Sequence, residues 1–163
     1  MLLKLNAKSD QRGATLVEFA IGATVFLTAM FAVLEFGRAL WTHNALADAA
    51  RRAARYAIHQ PASSPPGVKV TYDTNDKNGG PSVEAIQNVA VYGDPDGGTT
   101  PMVNDLTPDN IFVTYQGFGL GEGTVGVTIR NYQFRFAIPM VGTTITMPDY
   151  NTTLTAENAG VMP

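Results

Sequence analysis

The chain has 163 residues, a net charge of −3 and no cysteine. No basic or acidic block dominates, which argues against a nucleic-acid binder with its basic stripe; disulfides and thiolate metal sites are excluded, although the missing cysteines leave the compartment open. Apolar residues crowd into positions 14–36, and the chain after Gln60 is rich in Gly, Pro, Thr and Asn, so about 100 residues are left for a small domain with a thin core.

The first element is the long apolar stretch from Ala14 to Phe36, whose only charges are Glu18 and Glu35. As a helix it would be about 35 Å long, enough for a hydrocarbon core of about 30 Å. It has no proline, and a domain this small could not surround a helix so uniformly apolar. Lys4, Lys8 and Arg12 ahead of it and the Ala45-Leu46-Ala47 triplet behind it have the form of a secretory signal. The apolar part is longer than a cleavable signal requires, however, and it carries a carboxylate. The basic residues before the span, offset by Asp10, are nearly balanced by Arg38 and Arg51 after it, with Arg52 and Arg55 just beyond, so charge does not set the topology.

Glu18 is the unusual residue of the span. A carboxylate deep in a bilayer costs about 2.5–3.5 kcal/mol, less near an interface. Two readings stand side by side: an acid in a first helical turn favoured by the helix dipole, or a charge that meets a cation when helices pack. An α-amine exposed at Ala14 would lie one turn away. Glu35, at the far end, reads as a solvated pair with Arg38 on the same face. Ala20, Thr24, Thr28 and Ala32 form a narrow stripe of small residues that would let a second helix approach closely.

These residues together resemble a known pattern. A short basic leader ends at Gly13, an apolar helix starts at once, and Glu18 follows within it. This is similar to the processing site of type IV pilins, which a membrane prepilin peptidase cuts after the Gly. The Gly13-Ala14-Thr15-Leu16-Val17-Glu18-Phe19 form resembles the TadE-like group, pseudopilins of the Flp (tight adherence) pilus system. Glu35-Phe36-Gly37-Arg38, Asn44-Ala45-Leu46, Ala49-Ala50-Arg51 and Ala54-Arg55-Tyr56-Ala57 are similar too, and Asn88-Val89-Ala90-Val91-Tyr92-Gly93 more loosely; the Met162-Pro163 tail departs from the pattern. The resemblance implies that Gly13 and Ala14 flank a scissile bond and that Glu18, beside Phe19, serves processing, membrane extraction or subunit registry. It also implies an inner-membrane protein with a cytoplasmic leader and an extracytoplasmic domain. Its partners would be a prepilin peptidase, other pilin or pseudopilin subunits, and a Tad-type membrane assembly platform.

Beyond the span the helix should continue. Leu46, Ala50, Ala54 and Ile58 make one apolar face, while Asp48, Arg51, Arg52 and Arg55 lie elsewhere, with Asp48 in reach of both Arg51 and Arg52. Gln60-Pro61 should end it, giving a helix to His59 of about 69 Å, with Gly22 and Gly37 as candidate bending points. The expected organisation is a leader at 1–13, a transmembrane part at 14–36, an amphipathic continuation at 37–60 and an extracytoplasmic domain at 61–163. In that domain, alternation predicts strands at Val68–Tyr72, Ile111–Tyr115, Val125–Ile129 and Tyr132–Ile138, with two more at Thr143–Met147 and Asn151–Thr155. A short helix is predicted at Ser82–Tyr92, stopped by Gly93. The apolar phase flips near Arg130-Asn131, which calls for a bulge or a bend. The fold class is α+β: a long N-terminal pilin-like transmembrane helix, then a small antiparallel sheet domain with one short helix.

No catalytic constellation emerges. His43 and His59 lie about 24 Å apart along the helix axis and cannot share a metal within one chain; Ser63 and Ser64 have no nearby histidine. Gly117, Gly119, Gly121 and Gly123 lack the Lys-Ser/Thr of a phosphate loop. Asp73, Asn75, Asp76, Asn78 and Asp94, Asp96 are oxygen-rich but do not follow a calcium-loop spacing, and turn formation accounts for them. No cofactor or metal is expected. An assembly role in the membrane leads; the alternative is an uncleaved, single-pass anchored binding module whose loops carry function.

Overall fold

The computed structural model describes residues 10–60, 70–72, 80–116, 123–137 and 144–156. The α+β expectation holds. One helix, α1 (Asp10–Ala57, 48 residues), is followed by β1 (Val70–Tyr72), α2 (Gly80–Tyr92), a 3-10 turn (Pro108–Asn110), β2 (Ile111–Gln116), β3 (Gly123–Ile129), β4 (Gln133–Arg135), β5 (Thr144–Thr146) and β6 (Tyr150–Ala156). At 1.5 Å per residue α1 is about 72 Å long. It runs without interruption through Gly22 and Gly37, where an added Cβ would touch nothing within 4 Å. It closes in a turn over Ile58–Gln60, just before Pro61.

The main sheet has the order β1-β2-β3-β6, all antiparallel. Its register brings the alternating apolar residues into rows. Ile111 faces Ile129, Val113 faces Val127 and Tyr115 faces Val125; on the other side of β3, Tyr150 faces Ile129 and Leu154 faces Val125. Since strand side chains alternate, these rows share one face of the sheet. That face meets the second half of α1, where Leu46, Ala49, Ala50, Ala53, Ala54 and Ala57 are all fully buried. Alanine is the right residue there: a helix face without bulk lets β3, β6 and α2 come close to the backbone. The expected face of Leu46, Ala50 and Ala54 is present, widened by Ala49, Ala53 and Ala57, whereas Ile58 is only half-buried.

The short helix begins at Gly80, slightly earlier than its sequence signal, with Pro81 in its first turn. Gly93 ends it at φ +81, its N–H donating to Val89 O at 3.1 Å; a Cβ there would sit 2.8 Å from Met102 Sδ. Glycine is required on both counts. The flip in apolar phase is resolved by a bend. Asn131 takes φ +57, a left-handed conformation that asparagine tolerates. The turn is held by Asn110, whose carbonyl accepts from Arg130 N and whose side-chain amide donates to Arg130 O. The chain then leaves the main sheet. The strands expected at Tyr132–Ile138 and Thr143–Met147 therefore supply not the main sheet but a separate two-stranded ribbon, β4–β5, in which Phe134 faces Ile145. The expected strand positions Val68, Lys69, Ile138 and Thr143, the glycines 117–121 and the Asp73–Asn78 loop lie outside the described residues.

Candidate functional site

The candidate site is α1 itself, and its two halves differ completely. From Gly13 to Leu34 all residues but Ala23 are exposed, including Leu16, Val17, Phe19 (73%), Ile21, Val25 and Phe26. None of the most apolar part of this helix is buried by the domain, though it is long and apolar enough to cross a membrane. A soluble protein's core helix would be covered by its own chain; this one is bare. Large apolar side chains in such a run favour a non-aqueous solvent by about 1.5–3 kcal/mol each. The signal-peptide reading also fails on packing. A cut at the Ala45-Leu46-Ala47 triplet would take Leu46 out of the core and separate His43 from Tyr150, with which it shares a 2.7 Å hydrogen bond.

Gly13, Ala14, Glu18 and Phe19 all lie on this bare helix and are exposed, Glu18 one turn after Ala14. A Cβ added at Gly13 would touch nothing within 4 Å, so the fold itself sets no size limit there. The small residues Ala20, Thr24, Thr28 and Ala32 occupy successive turns, exposed. The hydroxyls of Thr24 and Thr28 donate to the Ala20 and Thr24 carbonyls, each at 2.8 Å. Their protons are thus occupied inside the helix; what the stripe offers a neighbour is lack of bulk.

The boundary between the halves is at Glu35, where the sequence expectation of a solvated pair needs correction. Glu35 is buried (7% exposed), and its Oε2 accepts from Arg38 Nη2 at 2.7 Å. The same guanidinium nitrogen donates to the Arg135 carbonyl at the end of β4, and the guanidinium carbon lies 4.6 Å from the centroid of the Phe134 ring. The pair is therefore a clasp that fixes the β4–β5 ribbon to the helix where it leaves its bare segment. A turn and a half further on, His43 Nδ1 meets the Tyr150 hydroxyl, edge to face. Burial, with the nearby Tyr132 phenol, raises the Tyr150 pKa; burial and Asp105 raise that of Tyr132, against an opposing effect of Arg38. Tyr132 donates to Asn104 O at 2.6 Å.

The other candidates resolve into ordinary structure. Asp48 pairs with Arg51 at 2.8 Å but not with Arg52, which turns toward Met102 Sδ instead. Asp94 accepts from Asp96 N at 2.9 Å, a turn closed on itself. Among the described residues no His, Asp or Glu group is placed to hold a metal. The Glu35 clasp and the His43–Tyr150 pair were missed in sequence because each joins α1 to strands about a hundred positions later.

Residues 13–55 match the family described as TadE-like protein. The match starts at Gly13 and ends at Arg55, entirely within α1, and agrees with the resemblance carried by the same residues. No curated protein and no solved structure matches the chain.

Proposed function

We propose that this chain is a membrane-anchored pseudopilin or minor pilin of the Flp (Tad) pilus system, acting in fibre assembly and not as an enzyme. The observation that carries the proposal is the bare apolar helix from Gly13 to Leu34, continuous with the core helix of a folded domain and covered by the TadE-like match. In this reading 1–13 is a leader and the helix from Ala14 lies in the inner membrane. The domain from residue 61 onward is extracytoplasmic, packed on the continuation of the helix. A prepilin peptidase cuts between Gly13 and Ala14. The new α-amine at Ala14 then lies one helical turn from Glu18, on the same or a neighbouring helix, and neutralises a carboxylate that the bilayer disfavours.

The bare half of α1 supplies the surface for other pilin or pseudopilin subunits and for the Tad-type assembly platform. Ala20, Thr24, Thr28 and Ala32 are the positions of closest helix approach. The role is tested in cells that lack the chain and express it again at native level. Wild type restores piliation and Glu18→Ala does not, while both fractionate with the membrane. Full piliation by Glu18→Ala reduces Glu18 to a helix-dipole residue and removes the registry role.

A further inference from the structure

The domain does more than follow the anchor: one part of it points back along the helix toward the bare segment. The β4–β5 ribbon is separate from the main sheet. Tyr150, the first residue of β6 in the main sheet, contacts α1 at His43, whereas the Arg135 end of β4 contacts it at Arg38, nearer the bare segment. Ile145 lies opposite Phe134, the ring under Arg38, yet is 43% exposed.

The exposed apolar surface of α1 also does not stop where the domain begins. Glu35, Ala39 and Thr42 turn inward, but Phe36 (66%), Leu40 (49%) and Trp41 (62%) remain exposed. Counted from Ala14, Glu35 lies about 31 Å along the axis, Arg38 about 36 Å and Trp41 about 40 Å. A hydrocarbon core of about 30 Å with a headgroup layer of about 5–7 Å on each side puts Phe36 and Arg38 in the outer interfacial layer and Leu40 and Trp41 at its outer rim. Aromatic residues concentrate at that depth, and cations there face lipid phosphates. Arg38, its side chain 41% exposed, lies at this level and binds the Arg135 carbonyl there, while the Arg135 side chain is 73% exposed and 3.9 Å from Asp105.

We infer that the domain is seated on the lipid surface. Phe36 of α1 and Ile145 of the ribbon lie at the headgroup–acyl boundary, Arg38 lies at the phosphates, and Leu40 and Trp41 complete the apolar collar at the outer rim of the headgroups. The lipid is favoured over a second protein chain because the collar continues the bare helix without a gap and ends at the depth where a bilayer ends. The inference rests on insertion of α1 in the membrane, not on the pilus role.

Trp41 is the chain's single tryptophan, so its emission reports this depth directly. The full chain is reconstituted into phosphatidylcholine–phosphatidylglycerol vesicles carrying quenchers at shallow or deep acyl positions, and insertion is checked separately by flotation. A second protein, Trp41→Phe with Ile145→Trp, moves the reporter to the ribbon. Both proteins float, emit to the blue of aqueous tryptophan, and are quenched several-fold more by shallow than by deep quenchers. Flotation with water-like, lipid-insensitive emission from the I145W reporter shows a domain standing off the bilayer and overturns the collar while insertion survives. Blue-shifted emission that lipid quenchers do not reach, and that changes with protein density, means another copy covers the patch and also overturns it. Failure to float removes insertion and the collar together.

Discussion

Arg38 reaches Glu35 at 2.7 Å and, with the same guanidinium, covers Phe134 and binds the Arg135 carbonyl. One side chain thus joins the end of the bare helix to a ribbon almost a hundred residues later. Glu35 is buried, and among the described residues Arg38 is the cation it pairs with. Removing the carboxylate in Glu35→Ala should lower domain stability by about 1.5–3 kcal/mol, the usual range for a charged hydrogen bond. Glu35→Gln should lose less because an acceptor remains. Arg38→Lys should behave more like Glu35→Ala, since an ammonium keeps the charge but not the flat contact with Phe134. Denaturant unfolding of the detergent-solubilised chain checks the order.

The alanine face of α1 sets how closely the sheet approaches. Ala53→Phe should cost at least about 1–3 kcal/mol, because a ring at a fully buried position forces strands and helix apart. Gly37→Ala is the opposite case. Nothing lies within 4 Å of the added carbon, and the helix gains about 0.5–1 kcal/mol from the better helix former. A shift in the same direction for both variants in thermal unfolding contradicts this packing.

The His43–Tyr150 contact ties β6 to the helix. Tyr150→Phe removes the hydroxyl and should cost about 0.5–1.5 kcal/mol. Burial raises the pKa of Tyr150 and Tyr132 above 10.0. The unfolded chain therefore loses these protons first as pH rises. The stability they contribute is complete below 10.0 and falls as pH climbs through the raised folded values. Unfolding midpoints from about pH 8 upward should decline past 10.0, and less steeply in Tyr150→Phe.

Much of this architecture is legible in the sequence because its signals are local. Uninterrupted hydrophobicity from Ala14 marks the anchor, period-two alternation marks β2 and β3, and the phase flip marks the bend at Asn131. The separate ribbon is not legible, because a strand that leaves its sheet alternates like one that stays. Glu35 shows the same limit. Its neighbour Arg38 is visible three positions away, and an exposed pair is the natural reading, but Arg38 also meets Phe134 and Arg135, whose proximity no helical spacing reveals. The candidate site itself is local, a glycine, an apolar run and Glu18. The structure adds that its residues are bare and that a larger side chain at Gly13 fits the fold.

That freedom at Gly13 makes processing separable from folding. Gly13→Phe should leave membrane insertion and domain unfolding unchanged while abolishing cleavage, as judged by the gel mobility of the chain co-expressed with a prepilin peptidase. A Gly13→Phe chain processed at the wild-type rate places the cut at another bond.

The most direct measurement is the intact mass and N-terminal residue of the wild-type chain, purified from membranes after co-expression with that peptidase. A mature protein beginning at Ala14, and found only when the peptidase is active, is the predicted result. A chain that keeps Gly13 and the residues before it under the same conditions contradicts the account and leaves an uncleaved, membrane-anchored module in its place.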